Sequence, residues 1–195
     1  MKELFKYGFI LALICMTAAG LLAGINMLTR GRIHNQAQAE ELNSLKEVLP
    51  AADYFEPVKE NDTILYYIGK NPHKITVGFV FKTGGKGYSS VIETVAGLTP
   101  DGTITGIKIL NQNETPGLGA RICEVKDDKT IGDVLRGVKQ ESARKPWFQQ
   151  QFSGKKTVEL DQVEAITGAT ISSRAVIESV KKRAVEILEM TGKDK

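Results

Sequence analysis

Residues Tyr7 to Leu28 carry no charged side chain and consist mostly of Ile, Leu, Ala, Gly and Met. Nothing else in the chain restricts its folding so strongly. Inside a bilayer every backbone N–H and C=O must find a partner within the segment, and a helix is how one segment achieves this. As a helix, these 22 residues reach about 33 Å, enough for a hydrocarbon core of roughly 30 Å. Lys2, Lys6 and the amino terminus precede the run, while Arg30 and Arg32 follow it. The positive charges that set orientation are therefore nearly balanced, and orientation rests on the short basic leader. A cleaved signal peptide is the competing reading, with Thr17-Ala18-Ala19 near its processing site, but the apolar run continues past that point. Ala12-Leu13-Ile14-Cys15 is not a lipobox, because Ile stands where a small residue is required. The expectation is a retained anchor over residues 1–28. Gly20 and Gly24 form a GxxxG pair that permits close packing against other membrane helices. The segment holds no acidic residue, so it offers no ion path of its own.

After the anchor, His34 to Leu49 places Ala37, Glu41, Leu42, Leu45, Val48 and Leu49 at helical spacing, and Pro50 stops the pattern. This predicts a tether helix within residues 29–50, whose apolar stripe faces either a core or a partner. From Asp62 the period changes. Ile64 to Ile68, Ile75 to Phe81, Ser89 to Ala96 and Thr103 to Leu110 are rich in β-branched and aromatic residues and predict strands. Thr99-Pro100-Asp101-Gly102 supplies turn chemistry between the last two. Lys82 to Gly87 is glycine-rich and basic but lacks GxxxxGK[ST], so a hairpin loop is expected there. Asn111 to Arg121 has no regular period, and Thr130 to Val138 predicts a short helix. Trp147, Phe148 and Phe152 are expected in the core. A final helix beginning near Ser172 should turn Val176, Ile177, Val180, Ala184, Ile187 and Leu188 inward. The fold class is α+β: one membrane helix, then a domain over residues 51–195 with antiparallel strands and helices covering one side.

A net charge of +3, with no basic stretch interleaved with aromatics, argues against a nucleic-acid partner. Cys15 and Cys123 would have to meet across a membrane boundary to pair, so no disulfide is expected. There is no CxxC or HExxH spacing, and His34 and His73 are far apart, so no metal ligand set is predicted.

Thr167-Gly168-Ala169-Thr170-Ile171-Ser172-Ser173 places four hydroxyls within seven residues ahead of the final helix. Ser172 or Ser173 can cap that helix. The remaining free N–H groups and the positive end of the helix dipole favour a phosphate-sized anion. Gly168 and Ala169 let a bulky group approach the backbone. A capped helix start with no further role fits the same residues.

Asp161 followed by Thr167 to Ser172 resembles the flavinylation motif of the FMN-binding domain family, and Glu114-Thr115-Pro116-Gly117-Leu118-Gly119 resembles that family's second signature. Two unrelated motifs about fifty residues apart in the expected order are far more specific than one. The resemblance implies FMN joined covalently by a phosphoester to Thr170, attached by a flavin transferase of the ApbE type with FAD as donor. It implies that Glu114 and Thr115 approach the polar edge of the isoalloxazine, that Leu118 and Gly119 lie along its face, and that Tyr88 stands beside it. Thr167, Gly168, Ala169 and Ile171 would line the attachment site. With the preceding membrane helix, the chain is similar to the flavin-carrying G subunits of Rnf electron-transport complexes. These couple ferredoxin and NAD(H) electron exchange to Na⁺ or H⁺ movement across the cytoplasmic membrane. The implied arrangement is a single-pass protein with its flavin domain outside the cytosol, other Rnf subunits as partners and no substrate chemistry of its own. The C subunit of the sodium-translocating NADH:quinone reductase is the relative to be told apart. A membrane-tethered binding or sensory module is the alternative from another class.

Overall fold

The computed structural model describes residues 2–61, 63–125 and 145–192. The helix expected over Thr130 to Val138 lies outside the described residues. Contacts divide the chain into two compact units, residues 1–43 and 44–195.

Helix α1 runs over Lys2–Val48, so anchor and tether belong to one helix. Its Lys6–Gly31 portion is long and apolar enough to cross a membrane, with mean hydropathy 2.3. The hydroxyls of Thr17 and Thr29 donate to carbonyls one turn back, at Ile14 (2.9 Å) and Ile25 (2.9 Å). A polar side chain can thereby sit in an apolar helix without an unpaired donor.

The second unit is built on a five-stranded antiparallel sheet whose spatial order follows the chain: β1 Tyr54–Glu60, β2 Thr63–Lys70, β3 Thr76–Lys86, β4 Val91–Leu98 and β5 Ile104–Asn111. Four strands fall where apolar, β-branched runs predict them. β1 does not. Pro57 and its charged neighbours mask it, and the structure places it at the sheet edge, where a missing N–H is tolerated. The predicted loop over Lys82 to Gly87 is corrected as well: β3 continues through Lys86, and the turn is confined to Gly87–Ser90. Glycine is needed in that strand for close approach, because a Cβ on Gly85 would run into the Ala175 carbonyl of the final helix. The Thr99–Gly102 turn forms as expected, closed by Gly102 N–H donating to Thr99 O at 3.0 Å.

One face of the sheet carries Phe79, Phe81, Ile92, Ala96 and Leu98 into the main core. Helix α2 (Trp147–Gln150) and helix α3 (Thr170–Gly192) cover this face. Val176, Val180, Ala184 and Ile187 are fully buried at the inward spacing read from the sequence, and Leu188 packs at the margin. Phe148 and Phe152 stack edge to face at 5.4 Å within the core, and Trp147 is half-buried beside them.

The opposite face is covered too, although the sequence predicts helices on one side only. Leu45, Val48, Leu49 and Ala52 pack on Tyr67, Val80 and Val95 as a second core. Of the two roles open to the 34–49 stripe, its last turn takes the core role. The seat is made by glycines on adjacent strands, with Gly69 opposite Gly78 and Gly97 opposite Gly106. A Cβ on Gly69 would lie 2.5 Å from Leu49 Cδ2, and one on Gly97 would overlap the Val48 carbonyl. The Thr105 hydroxyl donates to that same carbonyl, satisfying an acceptor left open at the helix end.

Thr94, in β4, is fully buried, and its hydroxyl has no partner among the described residues. An unpaired buried hydroxyl costs about 1–3 kcal/mol, and valine has nearly the same shape without it. Thr94→Val should therefore raise stability by about 1 kcal/mol, read as a higher denaturant midpoint with unchanged slope.

Candidate flavin site

Four segments distant in sequence converge at the start of α3: the β3–β4 turn, the irregular stretch after β5, the 3-10 turn Gly119–Cys123 and the Thr167–Ala169 approach to the helix. They enclose a cavity of about 330 Å³, near the lower end of the range for small-molecule sites. Tyr88, Glu114, Thr115, Leu118 and Gly119 line one side of it. Gly168, Ala169, Thr170 and Ile171 line the other, together with Ser172. Of the residues that the resemblance places against the flavin, Thr167 alone does not line the cavity. Its carbonyl instead accepts from Arg121 Nη1 at 3.0 Å.

The segment reaches this position through a turn at Gly168, whose φ of +82° suits glycine best. Ala169 N–H then donates to Ile166 O at 2.8 Å. Helix α3 begins at Thr170, ahead of the start near Ser172 that the apolar periodicity implies. Ser172 and Ser173 therefore lie within the first turn and are not its cap, a correction to the capping expectation. Both are buried, and both hydroxyls are occupied. Ser173 Oγ accepts from Ile166 N–H at 3.1 Å, and Ser172 Oγ donates to Glu114 Oε2 at 2.6 Å. Of the four hydroxyls in the motif, Thr170 alone is both exposed and on the cavity wall. Among the described residues no backbone carbonyl accepts from the N–H groups of Thr170, Ile171 or Ser172, whereas Ser173 N–H reaches Ala169 O at 2.9 Å. Three orphan donors at the positive end of a 23-residue helix form an anion seat beside that hydroxyl.

Part of the wall is apolar. Leu118, Ile171 and Tyr88 are all large and more than half exposed, an unusual clustering that water alone does not favour. Glu114 is the cavity's carboxylate. Burial pushes its pKa upward, but hydrogen bonds from Ser172, Ser90, Ser89 and Tyr88 outweigh this and hold it at about 2, below its ordinary 4.5. The folded value lies below the unfolded one, so Glu114 contributes stability that is complete above pH 4.5. That contribution fades as pH falls from 4.5 towards 2. The stability gap between the wild-type chain and Glu114→Gln should accordingly be widest near neutrality and close through that window, measurable by denaturation at stepped pH.

Arg121 pairs with Glu124 at 3.5 Å besides holding Thr167 O, so both its contacts are with the protein. Asp161 is exposed and pairs with Lys181 of α3 at 2.5 Å. Among the described residues no group of His, Cys, Asp and Glu could hold a metal ion. The residue that sequence reasoning undervalues is Ser172. Local pattern allows it only the role of a cap, because its partner Glu114 stands 58 positions away, beyond the reach of any short motif.

The FMN-binding domain family matches residues 87–185, a little over half the chain, and the RnfG N-terminal region matches residues 1–48. The G subunit of the Na⁺-translocating ferredoxin:NAD⁺ oxidoreductase complex from Acetobacterium woodii is 34% identical, over 92% of this chain and 89% of its own. The chain belongs to the family of Rnf-type G subunits. The G subunit of an ion-translocating oxidoreductase complex from Pasteurella multocida is 31% identical over 94% of this chain and 93% of its own. The corresponding protein of Methanosarcina acetivorans is 32% identical over 92% of each. Among solved structures, NqrC of Shewanella oneidensis aligns over 73% of each chain at 18% identity with a TM-score of 0.44. Of the two complexes left open by the motifs, the N-terminal region and these relatives select the Rnf type. Membership brings with it an FMN-binding domain, and the cavity at the start of α3 lies within the matched residues. The residues suit FMN: an exposed hydroxyl for the phosphate end, unpaired amides around it and an apolar wall for the ring.

Proposed function

We propose that this chain is an electron-carrying component of a membrane-bound ion-translocating ferredoxin:NAD oxidoreductase, with FMN joined to Thr170 by a phosphoester. Residues 1–28 act as anchor, 29–50 as tether and 51–195 as the flavin domain, held on the extracytoplasmic side. The observation that carries this reading is the isolation of the Thr170 hydroxyl, exposed on the cavity wall while Ser172 and Ser173 are buried and bonded.

Attachment forms a bond from Thr170 Oγ to the phosphorus of the FMN half of FAD. The pyrophosphate P–O bond breaks, and AMP departs as leaving group. A threonine hydroxyl needs a base or metal to react. Glu114 is a poor candidate, being held ionised at low pKa by its own donors. The hydroxyl proton therefore goes to a group of the separate flavin transferase, of the ApbE type. When bound, FMN supplies reversible electron uptake. The free N–H groups of Thr170, Ile171 and Ser172 would hold the phosphate, while Leu118 and Ile171 would give the ring apolar cover. Thr115 would supply a hydroxyl to the ring's polar edge, and Tyr88, exposed on the lining, would lie where a neighbouring protein of the complex can reach.

Affinity purification of the tagged chain from native membranes, under mild detergent, tests this reading. It should bring down further membrane subunits and ferredoxin-dependent NAD⁺ reduction. Protease added to intact cells stripped of their outer layers should cut the domain. Recovery of the chain alone, with flavin-free spectra and no such activity, would leave a tethered binding module.

A further inference from the structure

Only Gly87, the first residue of the β3–β4 turn, is buried. Tyr88 and Ser89 are exposed, Ser90 is half-buried, and the preceding Gly87 lacks a side chain. Gly87 N–H donating to Ser90 O at 2.8 Å closes the turn, Asn113 N–H donates to the Ser90 hydroxyl at 2.9 Å, and one carboxylate gathers its remaining donors. Glu114 Oε2 accepts from Tyr88 N–H at 3.1 Å, and Oε1 accepts from Ser89 N–H at 3.0 Å, Ser90 N–H at 2.9 Å and the Ser90 hydroxyl at 3.1 Å. Three successive amides converging on an anion form a nest, here filled from within the chain. The fifth donor, Ser172 Oγ at 2.6 Å, belongs to the first turn of α3. A carboxylate offers about four lone-pair directions, so five donors use all its accepting capacity. The space is cut to fit. A Cβ on Gly87 would lie 2.7 Å from Oε1, and one on Gly119 would lie 2.5 Å from Oε2 and 2.6 Å from Ser172 Oγ.

We infer that Glu114 is a positioning residue, which ties the Tyr88 turn to the start of α3 and does not itself accept a hydrogen bond from the cofactor. Its carboxylate joins the two walls of the cavity into one unit and holds Tyr88 at the mouth. The flavin reading under Proposed function supplies what Tyr88 is held against; the clamp itself is a property of the bare chain. A neutral amide at position 114 would turn its NH₂ towards donors and could serve at most one side of the nest.

Hydrogen exchange on the full chain in detergent micelles, made with and without the transferase, separates the possibilities. In the unloaded chain, Glu114→Gln should speed exchange of the Tyr88, Ser89 and Ser90 amides at least about tenfold, since hydrogen bonds to a charged group are the stronger kind. The Phe81 and Val95 amides should keep wild-type protection. Ser172→Ala should speed the same three amides by less, and it provides the test if the Gln variant folds poorly. In flavin-loaded chain, Tyr88→Leu and Glu114→Gln should shift flavin fluorescence alike, with no further shift in the double variant. Unchanged exchange at 88–90, or a uniform rise across the sheet, overturns the clamp. An exchange difference seen only in loaded chain overturns it too, by showing that Glu114 acts on the ligand. Absence of any flavin adduct defeats the functional reading and leaves the unloaded-chain result standing.

Discussion

Flavin fluorescence that survives denaturation should vanish from Thr170→Ala and persist in Thr167→Ala, when each chain is made alongside the transferase. The effect expected is complete loss, because a phosphoester cannot form without Oγ and no second hydroxyl of the motif is available at the cavity. Ser172 and Ser173 are buried, and each hydroxyl is engaged, with Glu114 Oε2 at 2.6 Å and with Ile166 N–H at 3.1 Å. Thr167 is exposed but absent from the cavity wall, its carbonyl strapped by Arg121. Thr170→Ser keeps the oxygen at the same place and should keep the label. The first turn of α3 makes its bonds through the backbone at position 170, so Thr170→Ala should leave the fold intact. In-gel fluorescence beside Trp147 emission from the same samples separates lost attachment from lost structure, since Trp147 is the chain's one tryptophan. A fluorescent Thr170→Ala with a dark Thr167→Ala would move the attachment point and contradict the geometry.

The second large effect concerns the seat of α1. Leu49, 1% exposed, lies over Gly69 and Gly78 in the second core. Leu49→Ala should cost about 3 kcal/mol, the usual loss when a buried leucine leaves a cavity. Gly69→Ala should also destabilise, by about 1–3 kcal/mol, since its new Cβ would fall 2.5 Å from Leu49 Cδ2 and 2.9 Å from Ala52 Cβ. The two changes are coupled: removing the leucine side chain frees most of the room that the alanine needs. The double variant should thus be less destabilised than the sum of the singles. Gly97→Ala behaves differently. Standing in its way are the Thr105 hydroxyl and the Val48 carbonyl, neither of which Leu49→Ala removes, so its cost should add. Denaturant unfolding of the full chain in detergent, followed by Trp147 emission, measures each single and double variant. Strict additivity for the Gly69 pair would show that Leu49 does not rest on that glycine.

The contrast between these two regions shows what kinds of information a sequence carries openly. Helix α3 and strands β2 to β5 are legible because their burial repeats at fixed spacing, and a repeat needs no knowledge of the partner. Thr170 is singled out by the resemblance to the flavinylation motif, since the run of hydroxyls and small residues around it reads locally as a capped helix start or an anion site. Strand β1 is hidden by Pro57, which local propensity counts against a strand although an edge tolerates it. The strand character of Lys82–Lys86 is hidden by Gly84 and Gly85, which read as loop residues until the Ala175 backbone is found against Gly85. The same holds for Gly69, Gly78 and Gly97, where the absent side chain marks a helix end resting on the sheet. Glu114 is the sharpest case. Its motif suggests a ligand contact, yet its partners lie 24 to 26 residues before it and 58 after it, and only the folded chain assembles them.

Peptide mass mapping tests the central claim most directly. Trypsin cuts after Lys156 and Arg174 and releases Thr157 to Arg174, which holds all four candidate hydroxyls in one peptide. From chain made with the transferase, that peptide should be heavier by FMN less one water, and fragmentation should place the addition on Thr170. An unmodified peptide, under conditions that label an established acceptor protein, would contradict the account.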